Sequence, residues 1–309
     1  DIEFLENDGY PPILIHPPRK LGKNRRVSVP ANISSQFISS LLMIGPYLPD
    51  GLEIELIGEV VSRSYINMTI EQMRVFGAEV DWDESVISIK PRPYSPLPFA
   101  VESDWSAASY FYQMAAFSES ISLKINGLYK KSWQGDAVLP QVFEPFGVKT
   151  TFGEGHIFLE KNGRPPHPFF EKDFLECPDI AQTVAVTCAG LGVRGILSGL
   201  DTLGIKETDR VAALKTEFEK LGVSFSKLPP HFSKKQPGKT FFLVEGKAVW
   251  PAGTPRFATH NDHRMALSFA PLGIFAPVEI EEPDVVEKSY PGFWDDLRKL
   301  GFEENDGPI

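Results

Sequence analysis

The run Lys206-Glu207-Thr208-Asp209-Arg210 concentrates two cations and two carboxylates in five residues. On a helix, Lys206 and Arg210 share one face, and Glu207 projects elsewhere. Two cations on one face can grip a phosphate or a carboxylate, and the planar fork of Arg matches either anion. The same spacing also describes a solvated helix face with weak ion pairs, worth about 0.3–0.5 kcal/mol each. The segment alone does not separate these readings. Arg264 and Lys288 are further isolated cations at the starts of predicted elements. Three segments, Ser34-Ser35-Gln36, Pro178-Asp179 and Asn261-Asp262-His263-Arg264, stand at predicted helix N-termini. A helix N-terminus offers unpaired N–H groups and a partial positive charge, which suits an anion. Ser, Asp and Asn are also the ordinary N-cap residues, so each segment by itself implies only capping.

Other chemistries leave weaker traces. His260 and His263 are three apart, but no nearby Cys or carboxylate pattern completes a metal site, so no metal is expected. No nucleophile elbow, P-loop or dinucleotide-binding glycine motif occurs. The 309-residue chain carries a formal net charge of −10, which repels a nucleic-acid backbone. An anionic substrate must therefore be held by a local basic cluster. No run of about 18 apolar residues is present to span a membrane, and no signal-peptide pattern is visible. Cys177 and Cys188 belong to no CxxC pair and are expected to be reduced and buried, as suits a cytoplasmic protein.

The elements that position these residues repeat. An amphipathic segment, an aromatic or Leu and then a glycine recur at Phe76-Gly77, Phe146-Gly147, Leu221-Gly222 and Leu300-Gly301. Each glycine stands where a helix C-terminus needs a positive φ. The first three precede alternating strand patterns, such as Ala78 to Asp83 and Ser85 to Lys90. About forty residues ahead of each glycine comes a nearly all-apolar helix: Ser34 to Gly45, Ser106 to Phe117, Ile180 to Leu191 and His263 to Phe275. A helix that is apolar all round is buried all round. The helix at about 206–221, by contrast, shows charges at Lys215, Glu217, Glu219 and Lys220. Each unit thus reads as βαβαββ, and helices inside sheets would account for the pattern. The proline-dense stretch Pro91 to Pro98 can be neither a helix interior nor a central strand. It places a domain boundary near Glu102, between 1–102 and 103–309.

Taken together these segments resemble the EPSP synthase (3-phosphoshikimate 1-carboxyvinyltransferase) family. The matching runs are Ser34-Ser35-Gln36-Phe37, Ser62-Arg63-Ser64-Tyr65-Ile66, Val101 to Tyr110, Gln134-Gly135-Asp136, Pro178-Asp179, Gly204 to Arg210, Asn261 to Ala266 and Lys288-Ser289-Tyr290-Pro291. They occur in family order along the whole chain. The resemblance implies a two-domain inside-out α/β barrel of the enolpyruvyl transferase type, here lacking the family's N-terminal portion. Residues 1–102 would end the shikimate-phosphate-side domain, and 103–309 would form most of the second domain. It implies transfer of the enolpyruvyl group of phosphoenolpyruvate to the 5-hydroxyl of shikimate 3-phosphate, without cofactor, by a cytoplasmic monomer. This chain alone is expected to turn over poorly.

By the same resemblance, Ser34, Ser35, Gln36, Ser62, Tyr65, Asp179 and Lys206 would hold shikimate 3-phosphate. Gln36, Lys206, Arg210, Arg264 and Lys288 would hold phosphoenolpyruvate. Asp179 would be the general base, Lys206 would bridge both substrates, and Glu207 or Lys288 would carry the other proton. Thr202 stands where many members have Asn, and Gly204 where some have Arg. Two alternatives are a non-catalytic anion-binding module of the same fold and a UDP-GlcNAc enolpyruvyl transferase, whose catalytic Cys loop is not seen.

Overall fold

The four repeat glycines all adopt left-handed backbone in the computed structural model: φ is +89° at Gly77, +88° at Gly147, +67° at Gly222 and +93° at Gly301. After three of the helices, the amide beyond the glycine reaches back to a carbonyl of the last turn: Ala78 to Met73, Val223 to Phe218 and Phe302 to Leu297. These bonds satisfy carbonyls that the helix end leaves open.

The structure describes residues 2–17, 25–32, 34–233 and 238–304. They fall into two units. The smaller is the described part of Asp1–Asn32, Gln36–Val60 and Thr69–Leu97, and the larger that of Ile33–Ser35, Val61–Met68 and Pro98–Ile309.

In the smaller unit, β1 (Ile2–Phe4) and β2 (Ile13–Ile15) form an antiparallel ribbon. A second sheet contains β3 (Arg26–Pro30), β4 (Leu52–Ile57), β5 (Val80–Asp83) and β6 (Val86–Ile89) in the order β3-β4-β6-β5. The β3–β4 pair is parallel, and the other two pairs are antiparallel. Helix α1 (Ser35–Ile44) makes the crossover, and α2 (Arg63–Val75) precedes the final hairpin. The expectation that α1 is buried all round fails. It buries only Ile38 and Leu42, one turn apart on a single face, while Phe37, Met43 and Ile44 are exposed. Apolar composition does not measure how many neighbours a helix has.

The larger unit repeats the plan around three central helices. Helix α3 (Trp105–Phe117) leads into β7 (Ser122–Asn126), α4 (Leu139–Phe143), β8 (Val148–Gly153) and β9 (His156–Lys161), whose sheet order is β7-β9-β8. Next come β10 (Phe169–Asp173), α5 (Ala181–Leu191), β11 (Arg194–Ser198), α6 (Arg210–Glu219), β12 (Ser224–Lys227) and β13 (Phe241–Glu245), with order β10-β11-β13-β12. This sheet reproduces the β3-β4-β6-β5 pattern, with one parallel pair followed by two antiparallel pairs. Last are β14 (Arg256–Phe257), α7 (His263–Phe269), β15 (Glu279–Ile280) and α8 (Phe293–Lys299), with β14 and β15 parallel.

Every residue from Ala181 to Gly190 in α5 is buried, as is all of α3 except Ala107 and Phe111. Burial of each Leu, Val or Phe side chain contributes about 1.5–3 kcal/mol. Small polar groups tie these central helices together. Ser109 Oγ lies 3.1 Å from Thr183 Oγ1, and Gln113 Nε2 donates to the Ser268 carbonyl at 3.0 Å. Helix α7 is shorter than expected: it ends at Phe269, and a 3₁₀ turn at Ala270–Ile274 follows. Pro271 cannot supply the next helical N–H.

Gly222→Ala places a Cβ in open space but at φ +67°, so the change isolates the left-handed penalty of about 1–2 kcal/mol. Urea unfolding should show that loss. Gly253→Ala is also in open space but has ordinary φ, and it should leave stability unchanged or slightly raised.

Candidate functional site

Arg210 is the first residue of α6, and its side chain is buried. The helix begins there because Asp209 caps it, accepting from the Val211 and Ala212 amides at 3.1 Å each. The expected helix from about residue 206 is therefore four residues too long at its N-terminus. Lys206 instead follows a 3₁₀ turn at Asp201–Ile205, with φ −87° and ψ −147°, and is exposed. Freed from the helix, Glu207 does not project away from Arg210. Its Oε2 accepts from Arg210 Nη2 at 2.7 Å. Thr202 and Gly204 lie in the 3₁₀ turn.

Two further carboxylates meet the same guanidinium. Asp262 Oδ2 accepts from Arg210 Nε at 2.6 Å, and Asp179 Oδ1 lies 3.6 Å from Nη1. Asp262 also caps α7, accepting from the Arg264 amide at 2.8 Å. One fully buried carboxylate thus holds one cation and starts the helix that carries the next. Arg264 Nη2 lies 2.9 Å from Asp179 Oδ2, and its Nη1 reaches the Asp179 carbonyl at 3.2 Å and the Tyr110 hydroxyl at 3.4 Å. Lys288 closes the chain of pairs on Glu207. Two guanidinium nitrogens, Arg210 Nη1 and Arg264 Nε, have no hydrogen-bond partner among the described residues.

The electrostatics follow from this arrangement. Burial works to raise the Asp179 carboxyl, but Arg264, the Tyr65 hydroxyl, Lys206 and Arg210 overrule it and hold the group at about 2. Tyr65 donates to Asp179 Oδ2 at 2.7 Å, and Tyr65 belongs to the Val61–Met68 segment of the larger unit. Burial likewise works to raise Glu207, yet the bond from Lys288 and the charge of Arg210 bring it to about 2. Burial and the neighbouring Asp136 and Asp179 keep the Tyr65 phenol protonated. Burial and Arg264 push the His263 imidazole down to about 4, so it is neutral at pH 7. His260 faces Glu217 at 2.9 Å rather than sharing a partner with His263. Among the described residues no group of three or more His, Cys, Asp or Glu could hold a metal.

Asp136 is a residue whose role the sequence did not disclose. It is buried in a 3₁₀ turn at Gly135–Val138, accepts from the Ser106 hydroxyl through Oδ2, and has no partner at Oδ1 among the described residues. Burial and the nearby Asp179 charge push it up to about 7, although Ser106 and Arg264 work the other way. Gly135 lets this turn pack closely, since a Cβ there would sit 2.5 Å from the Glu176 carbonyl and 2.8 Å from Ser64 Oγ. Asp262 was visible as a cap residue but not as the counter-ion of Arg210.

The uncharged candidates are placed by the backbone. Ser34 precedes α1, Ser35 opens it, and Gln36, in its first turn, is exposed. Ser62 is buried and left-handed, at φ +54°, and its carbonyl accepts the Tyr65 amide at 3.1 Å. Such a conformation costs on the order of 1–3 kcal/mol and persists where surroundings fix it.

Comparison with known proteins finds relatives along nearly the whole chain. A family model described as EPSP synthase (3-phosphoshikimate 1-carboxyvinyltransferase) matches residues 1–297. A 3-phosphoshikimate 1-carboxyvinyltransferase of Bacteroides fragilis is 46% identical over 303 residues, covering 97% of this chain and 71% of that protein. One from Haemophilus influenzae is 33% identical over 97% of this chain and 66% of its own length. The fold resembles that of the EPSP synthase from Acinetobacter baumannii, with a TM-score of 0.72 at 19% identity, over 99% of this chain and 69% of that one.

Because Asp136 titrates near 7 when folded and near 4 when unfolded, its share of stability is complete below pH 4 and is lost as pH rises towards 7. Asp179 and Glu207, at about 2, act oppositely: their share is present above pH 4 and lost as pH falls towards 2. Asp136→Asn should match the parent at pH 4 and exceed it by about a few kcal/mol at pH 8. Denaturant titrations across this range check it, and parallel stability curves would contradict it.

Proposed function

Given that the chain belongs to the EPSP synthase family, we propose that the Arg210–Arg264–Lys288 cluster is its phosphoenolpyruvate clamp and that Asp179 is its general base. The enzyme is a 3-phosphoshikimate 1-carboxyvinyltransferase, which acts in the shikimate pathway. One observation carries the site reading: four cations, Lys206, Arg210, Arg264 and Lys288, gather around Asp179 and Glu207. Each charge-assisted bond to an incoming phosphate or carboxylate contributes about 1.5–3 kcal/mol.

The chemistry assigns each side chain a task. The 5-hydroxyl oxygen of shikimate 3-phosphate bonds to C2 of phosphoenolpyruvate while a proton adds to C3. The C2–O bond to phosphate then breaks, C3 loses a proton, and the enol ether and phosphate leave. Asp179 takes the hydroxyl proton. At about 2 it is a weak base, and position supplies most of its effect. An anionic substrate that engages Arg264 and Arg210 also withdraws their charge from Asp179, which raises its basicity. Glu207 is ionised beside a protonated Lys288, so Lys288 holds the proton that reaches C3 and Glu207 orients it. Lys206 bridges both substrates. Ser34, Ser35, Gln36, Ser62 and Tyr65 hold shikimate 3-phosphate, and Gln36 also reaches phosphoenolpyruvate. Lys206, Arg210, Arg264 and Lys288 supply the positive charge that holds the anionic substrates, so the cluster acts without a metal.

In this reading residues 1–102 end the shikimate-phosphate-side domain, and 103–309 form most of the second. The unit boundary at Leu97–Pro98 supports it. The protein works as a monomer in the cytoplasm, and two buried free thiols support that compartment. Among the described residues, no helix is long and apolar enough to cross a membrane.

Asp179→Asn keeps an acceptor for Arg264 but cannot take a proton. Single-turnover phosphate release should fall by about 10²–10⁴-fold, with calorimetric affinities for both substrates held within about threefold. Turnover restored at saturating substrate would contradict the base assignment.

A further inference from the structure

Glu217 lies two turns along α6 from Arg210, about 10 Å further down the helix axis. The charge pattern placed it on an outer face with Lys215, Glu219 and Lys220, but its side chain is fully buried. A buried carboxylate persists only where it is paired. Glu217 Oε2 accepts from Lys220 Nζ at 2.6 Å and from the Ala258 amide at 3.1 Å, and its Oε1 lies 2.9 Å from His260 Nε2. A carboxylate only accepts, so the ring proton of His260 belongs on Nε2. Lys220 Nζ also donates to the Arg256 carbonyl at 2.8 Å. The bonds to Arg256, Ala258 and His260 fasten α6 to the segment that runs from β14 to α7.

That segment is unusual in its backbone. His260 and Asn261 are successive left-handed residues, with φ +52° and +57°, and neither is glycine. Such a pair persists only where its surroundings over-determine it. The turn is closed by the Asp262 amide on the Thr259 carbonyl at 2.9 Å. The next side chain, Asp262, is the one that holds Arg210 and caps the helix bearing Arg264. Helix α6 and residues 258–262 are therefore fastened at two places. One is in the anion site, at Arg210–Asp262, and the other is remote from it, at Glu217 with Ala258 and His260.

We propose that Glu217 is a positioning residue for the anion clamp. It fixes the left-handed turn so that Asp262 meets Arg210 and α7 presents Arg264. It touches neither substrate. The proposal rests on the reading of this clamp as the phosphoenolpyruvate site.

The test is Glu217→Gln in the intact chain, with phosphate release followed while each substrate is varied in turn. Glutamine keeps the shape and one acceptor but loses the charge that binds Lys220 and His260. The KM for phosphoenolpyruvate should rise about tenfold, while kcat and the KM for shikimate 3-phosphate stay within about twofold. A merely structural loss would not separate the two substrates. Should Glu217→Gln fail to fold, as judged by circular dichroism, His260→Ala leaves Glu217 paired to Lys220 and should raise the same KM about threefold. An unchanged KM for phosphoenolpyruvate in a folded variant, or parallel changes for both substrates, overturns the proposal. A parent chain that does not bind phosphoenolpyruvate overturns the clamp reading itself, and this inference with it.

Discussion

The guanidinium of Arg210 cannot shed its proton, yet it is buried. That constraint obliges the chain to bring carboxylates to it. Asp262, Glu207 and Asp179 come from three different segments, so satisfying one side chain fixes the relative placement of α5, α6 and α7 at their N-terminal ends. Removing one partner from such a buried group costs about 3–5 kcal/mol, because the remaining charge is left uncompensated. The same bonds that remove this cost also gather further cations, since two of the three carboxylates recruit a second one: Asp179 recruits Arg264, and Glu207 recruits Lys288. The stability of the core and the geometry of the proposed clamp are one problem.

The inside-out arrangement makes this possible. Helices α3, α5 and α7 sit at the centre of the larger unit, with polar contacts among Ser109, Thr183, Gln113 and Ser268 to set their register. Buried helices present their N-termini where partial positive charge and side-chain cations reinforce one another. Asp179 shows how strongly that field acts. It stays ionised although burial works against its charge, whereas burial and the Asp179 charge push Asp136 nearby up to about 7. Two similar carboxyls are thus shifted in opposite directions by their surroundings.

Much of this was legible in the residues, and the misses are instructive. The repeat glycines could be read because a helix end needs a local, left-handed residue, and all four adopt it. The cations of the site could be read because they stand in a specific motif. The start of α6 was misplaced although Asp209, a preferred N-cap residue, stood at the right position. The charge pattern from Lys206 to Arg210 masks this cap. The burial of Glu217 and Asp136 and the pairing of Asp262 with Arg210 join residues tens of positions apart, and no local period encodes such meetings. Helix α1 shows the reverse error: its composition resembles that of α5, but burial depends on what packs against it.

The central claim is that a carboxylate-held pair of guanidiniums is the place where phosphoenolpyruvate binds. Calorimetric titration of phosphoenolpyruvate, with shikimate 3-phosphate saturating, into the parent chain and into Arg264→Lys tests it most directly. Lysine keeps the charge but loses the fork. Arg264→Lys should bind phosphoenolpyruvate at least about tenfold more weakly, equivalent to about 1.4 kcal/mol. Equal affinity in the two proteins would contradict it.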